Sequence, residues 1–379
     1  MKPLSLYLHI PFCVRKCHYC DFLSFQADEA QVKDYVEILL AEIDLEAPSY
    51  KEYEVQTIFF GGGTPSLLDG QTMSRIMESL CAHFSIAKDA EISMEVNPGT
   101  ATLSNLISYR KAGINRLSIG LQSAVDEQLL AIGRIHKYDQ FLSTYSAAQE
   151  AGFENINIDL MSALPGQTWE SYLMSLEKVL NLTPRPTHIS AYSLIVEEGT
   201  PLCEWVEQGK VTLPEEEEER RMYALTLEVL RKKGYDRYEI SNYALPGYEC
   251  KHNCVYWTRG DYLGLGLGAA SLIDNNRWSN ESEMQAYQER ISNKMPLSAK
   301  QTLSVSEQME EFMFLGLRLV EGVSVKKFEE TFGVSVREVY GKVLSKHQKD
   351  GLLTVDEQIR LTEKGLDVSN YVMADFLLS

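Results

Sequence analysis

The 379-residue sequence predicts an α/β protein, six βα units forming a barrel or part of one, followed by a small helical module. Three observations carry this expectation. Six short β-rich runs alternate with amphipathic stretches of helix length, which implies βαβ units and a parallel sheet. Polar or glycine-rich residues recur just after each run, where the loops of a barrel converge. Beyond residue 300 the pattern changes to closely spaced helices and one hairpin.

The runs span residues 4–10, 57–60, 91–96, 116–120, 155–159 and 188–193. Between them, residues 32–47 and 74–84 repeat apolar side chains at three- and four-residue spacing, and Gly113 ends another such stretch as a C-cap does. The first run leads into a loop with Cys13, Cys17 and Cys20, the second into GGGTP at 61–65. The third ends in Glu95 and Asn97, the fourth leads into Gln122, the fifth ends on Asp159, and the sixth ends near Tyr192 and Ser193. Polar groups from six segments therefore face one mouth.

Past the sixth run, Pro214 and the acids behind it open a helix towards Gly234, a proline near the first helical position and early carboxylates suiting the dipole. A strand-like run at 236–240 follows, then an irregular stretch at 244–257. The glycine-dense segment 264–271 is expected to wall the same cavity. Helices near 305–319, 325–332 and 335–348, a hairpin at 352–362 and a final helix make a winged-helix-like arrangement. The expected division is a barrel at 1–240, a connecting segment at 241–299 and the helical module at 300–379.

A hydrophobic share of 44% and a charged share of 24% are those of an ordinary globular protein. The net charge of −18 repels phosphate backbones, and residues 300–379 carry ten Lys+Arg against thirteen Asp+Glu. Both argue against nucleic acid as a partner, so the C-terminal module reads as a packing or docking unit. No apolar run reaches the ~18 residues of a membrane span, and no secretory signal pattern opens the chain. Seven unevenly spaced cysteines argue against a disulfide framework. A cytoplasmic location is expected.

Cys13, Cys17 and Cys20 form C-x3-C-x2-C in one loop. A zinc site could add His9 or His18, although structural zinc usually pairs two distant C-x2-C knuckles. A cubane iron–sulfur cluster normally takes four thiolates. With three, one iron keeps an open position, as a catalytic zinc does, and marks a substrate or cofactor site. The cluster is the favoured reading.

C-x3-C-x2-C on the first βα loop, with Tyr19 just before the last cysteine, resembles the signature of the radical S-adenosylmethionine superfamily. The resemblance tightens in YLHIPFC (7–13), FFGGGTPS (59–66), MEVNP (94–98), GINRLSIGLQS (113–123), IGRIH (132–136) and INIDLMSALPGQT (156–168). These are similar to the oxygen-independent coproporphyrinogen III oxidase-like branch, and within it to HemW-type haem chaperones. The resemblance implies the superfamily's partial (β/α)6 TIM-like barrel, with Cys13, Cys17 and Cys20 on a [4Fe–4S] cluster and S-adenosyl-L-methionine on the fourth iron. It implies that Gly62, Gly63 and Thr64 receive the amino group, and that Tyr7 and Tyr19 pack near the cluster and nucleoside. Glu95, Gln122, Arg134 and Asp159 would contact the ribose and methionyl ends, with Ser193 on the sixth strand.

Two departures separate the chain from the oxidases. Phe22 stands where they carry another cysteine, and Tyr7 lies almost at the start, so their N-terminal extension has no expected counterpart. KHNCVYW at 251–257 instead matches an HNxxYW pattern of HemW-type proteins. It implies haem as a further cofactor, with His252 as iron ligand, Cys254 or Cys250 competing, and Tyr256 and Trp257 packing on the macrocycle. The resemblance implies delivery of haem to membrane respiratory proteins. Transient contact at a membrane surface and self-association are compatible with that role. The alternatives are coproporphyrinogen III oxidation and a zinc-binding interaction protein.

Overall fold

The computed structural model describes residues 1–295 and 300–378. Six parallel strands run in sequence order: β1 (Lys2–Ile10), β2 (Tyr53–Gly62), β3 (Ile86–Val96), β4 (Arg116–Gln122), β5 (Asn155–Ser162) and β6 (His188–Ser193). Each is longer than, or as long as, the run that predicted it. The sheet continues on both sides. β7 (Asp236–Arg237) and β8 (Asn242–Ala244) join antiparallel beyond β6, and β9 (Tyr262–Leu265) lies parallel to β1. β10 (Ala270–Ile273), β11 (Asn276–Ser279) and β12 (Gln301–Thr302) extend that edge.

The two outer strands of this twelve-stranded order are not hydrogen-bonded to each other, so the barrel is partial, as expected. Its curl is evident because Tyr7, Phe59, Glu95, Arg116, Asp159 and Ser190, one from each of β1–β6, line a single cavity. A sheet covered on both faces needs apolar residues outward, and β4 is buried along its whole length. Outside it pack helices such as Glu29–Glu46, which turns Tyr35, Val36, Leu39 and Ile43 inward. Asp28, Asp69, Thr102 and Thr168 accept backbone N–H groups at the starts of four of these helices, satisfying donors the helix cannot. Pro214 precedes the N-cap Glu215 of helix Glu216–Lys232 instead of opening it.

Three further expectations change. The stretch taken as irregular contains a seven-residue helix, Lys251–Trp257. The glycine-dense segment lies behind β1, not on the cavity: a Cβ on Gly266 would sit 2.5 Å from the Tyr35 hydroxyl and 2.7 Å from the His9 carbonyl. The final helix is two short ones, Glu363–Asp367 and Ser369–Ala374.

The C-terminal module otherwise follows the winged-helix-like expectation. Helices Val305–Gly316, Val325–Phe332 and Val336–Lys349 enclose Phe328, Tyr340 and Leu344, beside a small sheet of β13 (Val323–Ser324), β14 (Leu353–Val355) and β15 (Gln358–Leu361). Residues 241–295 do not stand apart, since Leu263, Tyr287 and Ile291 enter the barrel core. The boundary expected at 299 falls against residues 296–299, outside the described residues. No helix among the described residues is long and apolar enough to cross a membrane.

Candidate functional site

The cysteine loop leaves β1 and is held on several sides. Cys13 N–H donates to the Phe25 carbonyl and Phe25 N–H to that of Pro11, at 2.9 and 2.8 Å. Arg15 reaches the Gly133 carbonyl at 3.1 Å, and His18 N–H that of Ile132 at 3.0 Å. His9 is fixed at both nitrogens: Nε2 donates to the Leu23 carbonyl at 2.8 Å, so Nδ1 accepts from the Tyr7 hydroxyl at 3.0 Å. His18 packs edge-on against Trp205 with ring centres 4.6 Å apart. Both candidate histidine ligands of a zinc ion are thus committed to holding the loop.

Cys13, Cys17 and Cys20 line a cavity of about 440 Å³ together with Tyr19, Gly62, Gly63, Thr64, Glu95, Gln122, Arg134, Asp159 and Ser193. Twelve of the fourteen residues expected at the site therefore share one wall. Among the described residues, no three His, Cys, Asp or Glu side chains converge as ligands of one metal ion. The thiols surround a space instead.

The wall is built by short polar contacts. Cys13 Sγ lies 3.5 Å from Thr64 Oγ1, which accepts from Asn97 Nδ2 at 2.8 Å. One terminal nitrogen of Arg134 donates to Asn97 Oδ1 and the Gly120 carbonyl at 2.7 and 2.8 Å, and the other lies 3.7 Å from Cys17 Sγ. Gly62 N–H donates to Glu95 at 3.2 Å. Gln122 sits at a bulge in the β4–β5 ladder with φ of 69°, a strained conformation for a residue with a side chain, and accepts from the Tyr192 hydroxyl at 3.0 Å. Asp159 accepts from Asn157 at 2.6 Å and from Ser118 at 3.3 Å, and Ser162 and Ser193 hydroxyls lie 3.1 Å apart.

Burial, with Asp159 nearby, pushes the Glu95 carboxyl up to about 8, and burial also raises Asp159. The wall thus presents two carboxyls that resist ionisation until a cation arrives. Burial raises the Cys20 thiol as well, and a metal must displace that proton.

The other two expected residues, Tyr7 and His252, lie on a second cavity of about 310 Å³ deeper in the barrel, which shares Glu95, Ser118, Asp159, Tyr192 and Phe22 with the first. His252 is 1% exposed, and burial holds its imidazole neutral, down to about 3. Thr57 donates to Ser5 at 2.7 Å, so it accepts from His252 Nδ1 at 2.7 Å. Nε2 then accepts from the Tyr256 hydroxyl at 2.8 Å. Iron could reach Nε2 only in place of Tyr256. Glu91, on β3, accepts from the backbone N–H groups of Lys251 and His252 and holds the start of this helix. Burial pushes the thiols of Cys250 and Cys254 up to about 12, which disfavours either as a thiolate.

Sequence reasoning stopped at the strand ends and missed the interior beneath them: Arg116, Ser118, Asn157, Ser190 and Asn242. A signal existed. Side chains two apart share a face of a strand, so Gln122 implies Ser118 and Arg116, and Asp159 implies Asn157.

The family model of the radical SAM superfamily matches residues 7–179, and that of the HemN C-terminal domain matches residues 303–368. The chain is 36% identical to the protein named heme chaperone HemW of Lactococcus lactis, covering 100% of this chain and 98% of that one. It is 37% identical to the protein of that name from Bacillus subtilis, covering 98% and 99%. The solved structure of coproporphyrinogen III oxidase (HemN) from Escherichia coli, described as a radical SAM enzyme, superposes with a TM-score of 0.87 at 27% identity. That match covers 100% of this chain and 90% of that one. Identity over essentially the full length, with the cysteine loop and polar barrel mouth already described, leads to one conclusion: the chain belongs to the HemW family within the radical SAM superfamily.

Proposed function

We propose that the protein is a haem chaperone that carries a [4Fe–4S] cluster on Cys13, Cys17 and Cys20, binds S-adenosylmethionine at the remaining iron, and passes haem to membrane respiratory proteins. The observation that carries this reading is the single wall uniting three thiols with the Gly62–Gly63–Thr64 edge, Glu95, Arg134 and Asp159. Three thiols around a shared space suit a cubane held at its corners better than one zinc ion. The chemistry such a cluster supplies is one-electron reduction of the bound sulfonium.

The protein's own groups bind and orient. The Gly62–Gly63 edge and Thr64 would receive the amino group, and Arg134, already oriented by Asn97 and Gly120, would hold the methionyl carboxylate. Glu95 and Asp159 would accept from ribose hydroxyls or the ammonium, with Gln122 and Ser193 completing the rim. Tyr19 packs beside the nucleoside, whereas Tyr7 acts from the second cavity by fixing His9. His252 would offer haem iron a neutral imidazole at Nε2, the atom that the Tyr256 hydroxyl contacts.

The chaperone name of the relatives supports this reading over oxidation of coproporphyrinogen. The test is anaerobic reconstitution followed by three measurements: iron and sulfide content, haem titration of wild type and His252→Ala, and incubation with coproporphyrinogen III. Four irons per chain, haem binding altered in the variant and no porphyrinogen conversion are expected. Conversion of the porphyrinogen, or zinc without sulfide, contradicts the reading.

A further inference from the structure

The second cavity contains a charge that no ligand assignment so far uses. Arg116, on β4, is 2% exposed and lines the cavity with Asn157, Ser190, Asn242, Asn253 and His252. A guanidinium has five N–H donors. Among the described residues its only hydrogen bond is a long one, 3.4 Å from a terminal nitrogen to Ser93 Oγ, and its buried Nε has no partner. Leaving a buried charged donor unmade is costly and calls for an acceptor.

The neighbouring acids do not supply it. Glu91 is occupied by the N–H groups of Lys251 and His252 and by the Cys250 thiol. Asp159 is occupied by Asn157 and Ser118. Both lie near enough to Arg116 to favour its positive charge, as do Cys250 and Tyr238, but neither carboxylate forms an ion pair with it. The remaining polar groups of the cavity are the Glu95 carboxyl, which burial and Asp159 raise to about 8 and so keep mostly protonated at neutral pH, the His252 imidazole, amides and hydroxyls, and Phe59, Tyr7 and Phe22 supply its apolar surface. A planar cation, neutral donors, an imidazole and aromatic faces together match an apolar ring system that bears a carboxylate and a metal.

We propose that Arg116 recognises a carboxylate in the second cavity, and that this carboxylate is a propionate side chain of haem. The proposal rests on the haem reading above and adds the group that orients the porphyrin. The guanidinium fork pairs with both carboxylate oxygens, and the His252 imidazole approaches the iron from the same cavity.

The test compares haem with its dimethyl ester, which keeps the macrocycle and iron but lacks both carboxylates. Cluster-reconstituted full-length protein is titrated with each, without S-adenosylmethionine, and absorbance gives the two dissociation constants. Wild type is expected to prefer haem by about tenfold, the effect of one charge-assisted pair. Arg116→Gln should bind both equally. Asn253→Asp, an isosteric change that adds a competing carboxylate, should weaken haem and spare the ester, and it carries the test if Arg116→Gln does not fold. Wild type binding haem and ester equally overturns the proposal alone, as does a preference that survives both variants. A third overturning result is Arg116→Gln losing affinity for S-adenosylmethionine while keeping its preference for haem, which assigns the cation to the methionyl carboxylate. Failure of wild type to bind haem at all overturns the underlying reading as well.

Discussion

Replacing Glu95 with glutamine should remove a pH-dependent strain from the barrel of the ligand-free protein. In the folded protein burial and Asp159 raise this carboxyl from 4.5 to about 8. Below about pH 4.5 it is protonated in folded and unfolded chains alike and contributes no difference. As pH rises towards 8 the unfolded chain ionises freely while the folded one resists, so stability falls across that window and levels above it. At about 1.4 kcal/mol per tenfold step in proton affinity, the upper bound on the loss is about 5 kcal/mol. Glu95 faces a cavity that water can enter, so about 2–5 kcal/mol is the working range. Urea unfolding of wild type and Glu95→Gln from pH 5 to 8.5 should give a stability difference that grows with pH in favour of the variant. Binding of S-adenosylmethionine at pH 7 should release a proton in wild type and not in the variant, read by calorimetry in buffers of different ionisation enthalpy. A difference flat in pH, with equal proton release, refutes the reasoning.

Three other substitutions test separate parts of the account. Gly63→Ala places a Cβ 2.6 Å from the Phe12 carbonyl and 2.9 Å from that of Ile10, both backbone. Such overpacking costs about 1–3 kcal/mol, and iron content after reconstitution should fall as the cysteine loop is pushed away. Tyr256→Phe frees His252 Nε2 from a hydrogen bond worth about 1 kcal/mol, so haem affinity should rise by about fivefold. Equal haem affinity in Tyr256→Phe and wild type removes His252 as ligand. Arg290 is buried against Glu42, Glu46, Glu281 and Asn280 at 2.8–3.3 Å. Arg290→Met strands the buried Glu42 and should cost about 3–5 kcal/mol in urea unfolding, with the thiol cavity unchanged.

The strand ends were legible because the loops of a parallel barrel converge where the chain leaves the sheet, so Glu95, Gln122 and Asp159 stood out against apolar runs. Arg116 and Asn157 did not, since a polar residue inside a strand reads as an interruption until the alternation shows which face it occupies. Helix Lys251–Trp257 was illegible for a different reason. A seven-residue segment with His, Asn, Val, Tyr and Trp has little intrinsic helicity, and Glu91, 160 positions earlier than Lys251, secures its first turn. Glycine density at 264–271 comes from close backbone approach behind β1, not from the cavity wall expected of it. The partners, Tyr35 and His9, lie too far away in sequence to be inferred.

The most direct measurement is Mössbauer spectroscopy of the protein reconstituted with 57Fe, before and after addition of S-adenosylmethionine. One iron in four should change its spectrum on addition while three stay as they were, because only one lacks a thiolate. Four irons indifferent to the sulfonium compound, or a cluster with every corner held by this chain, would contradict the account at its base.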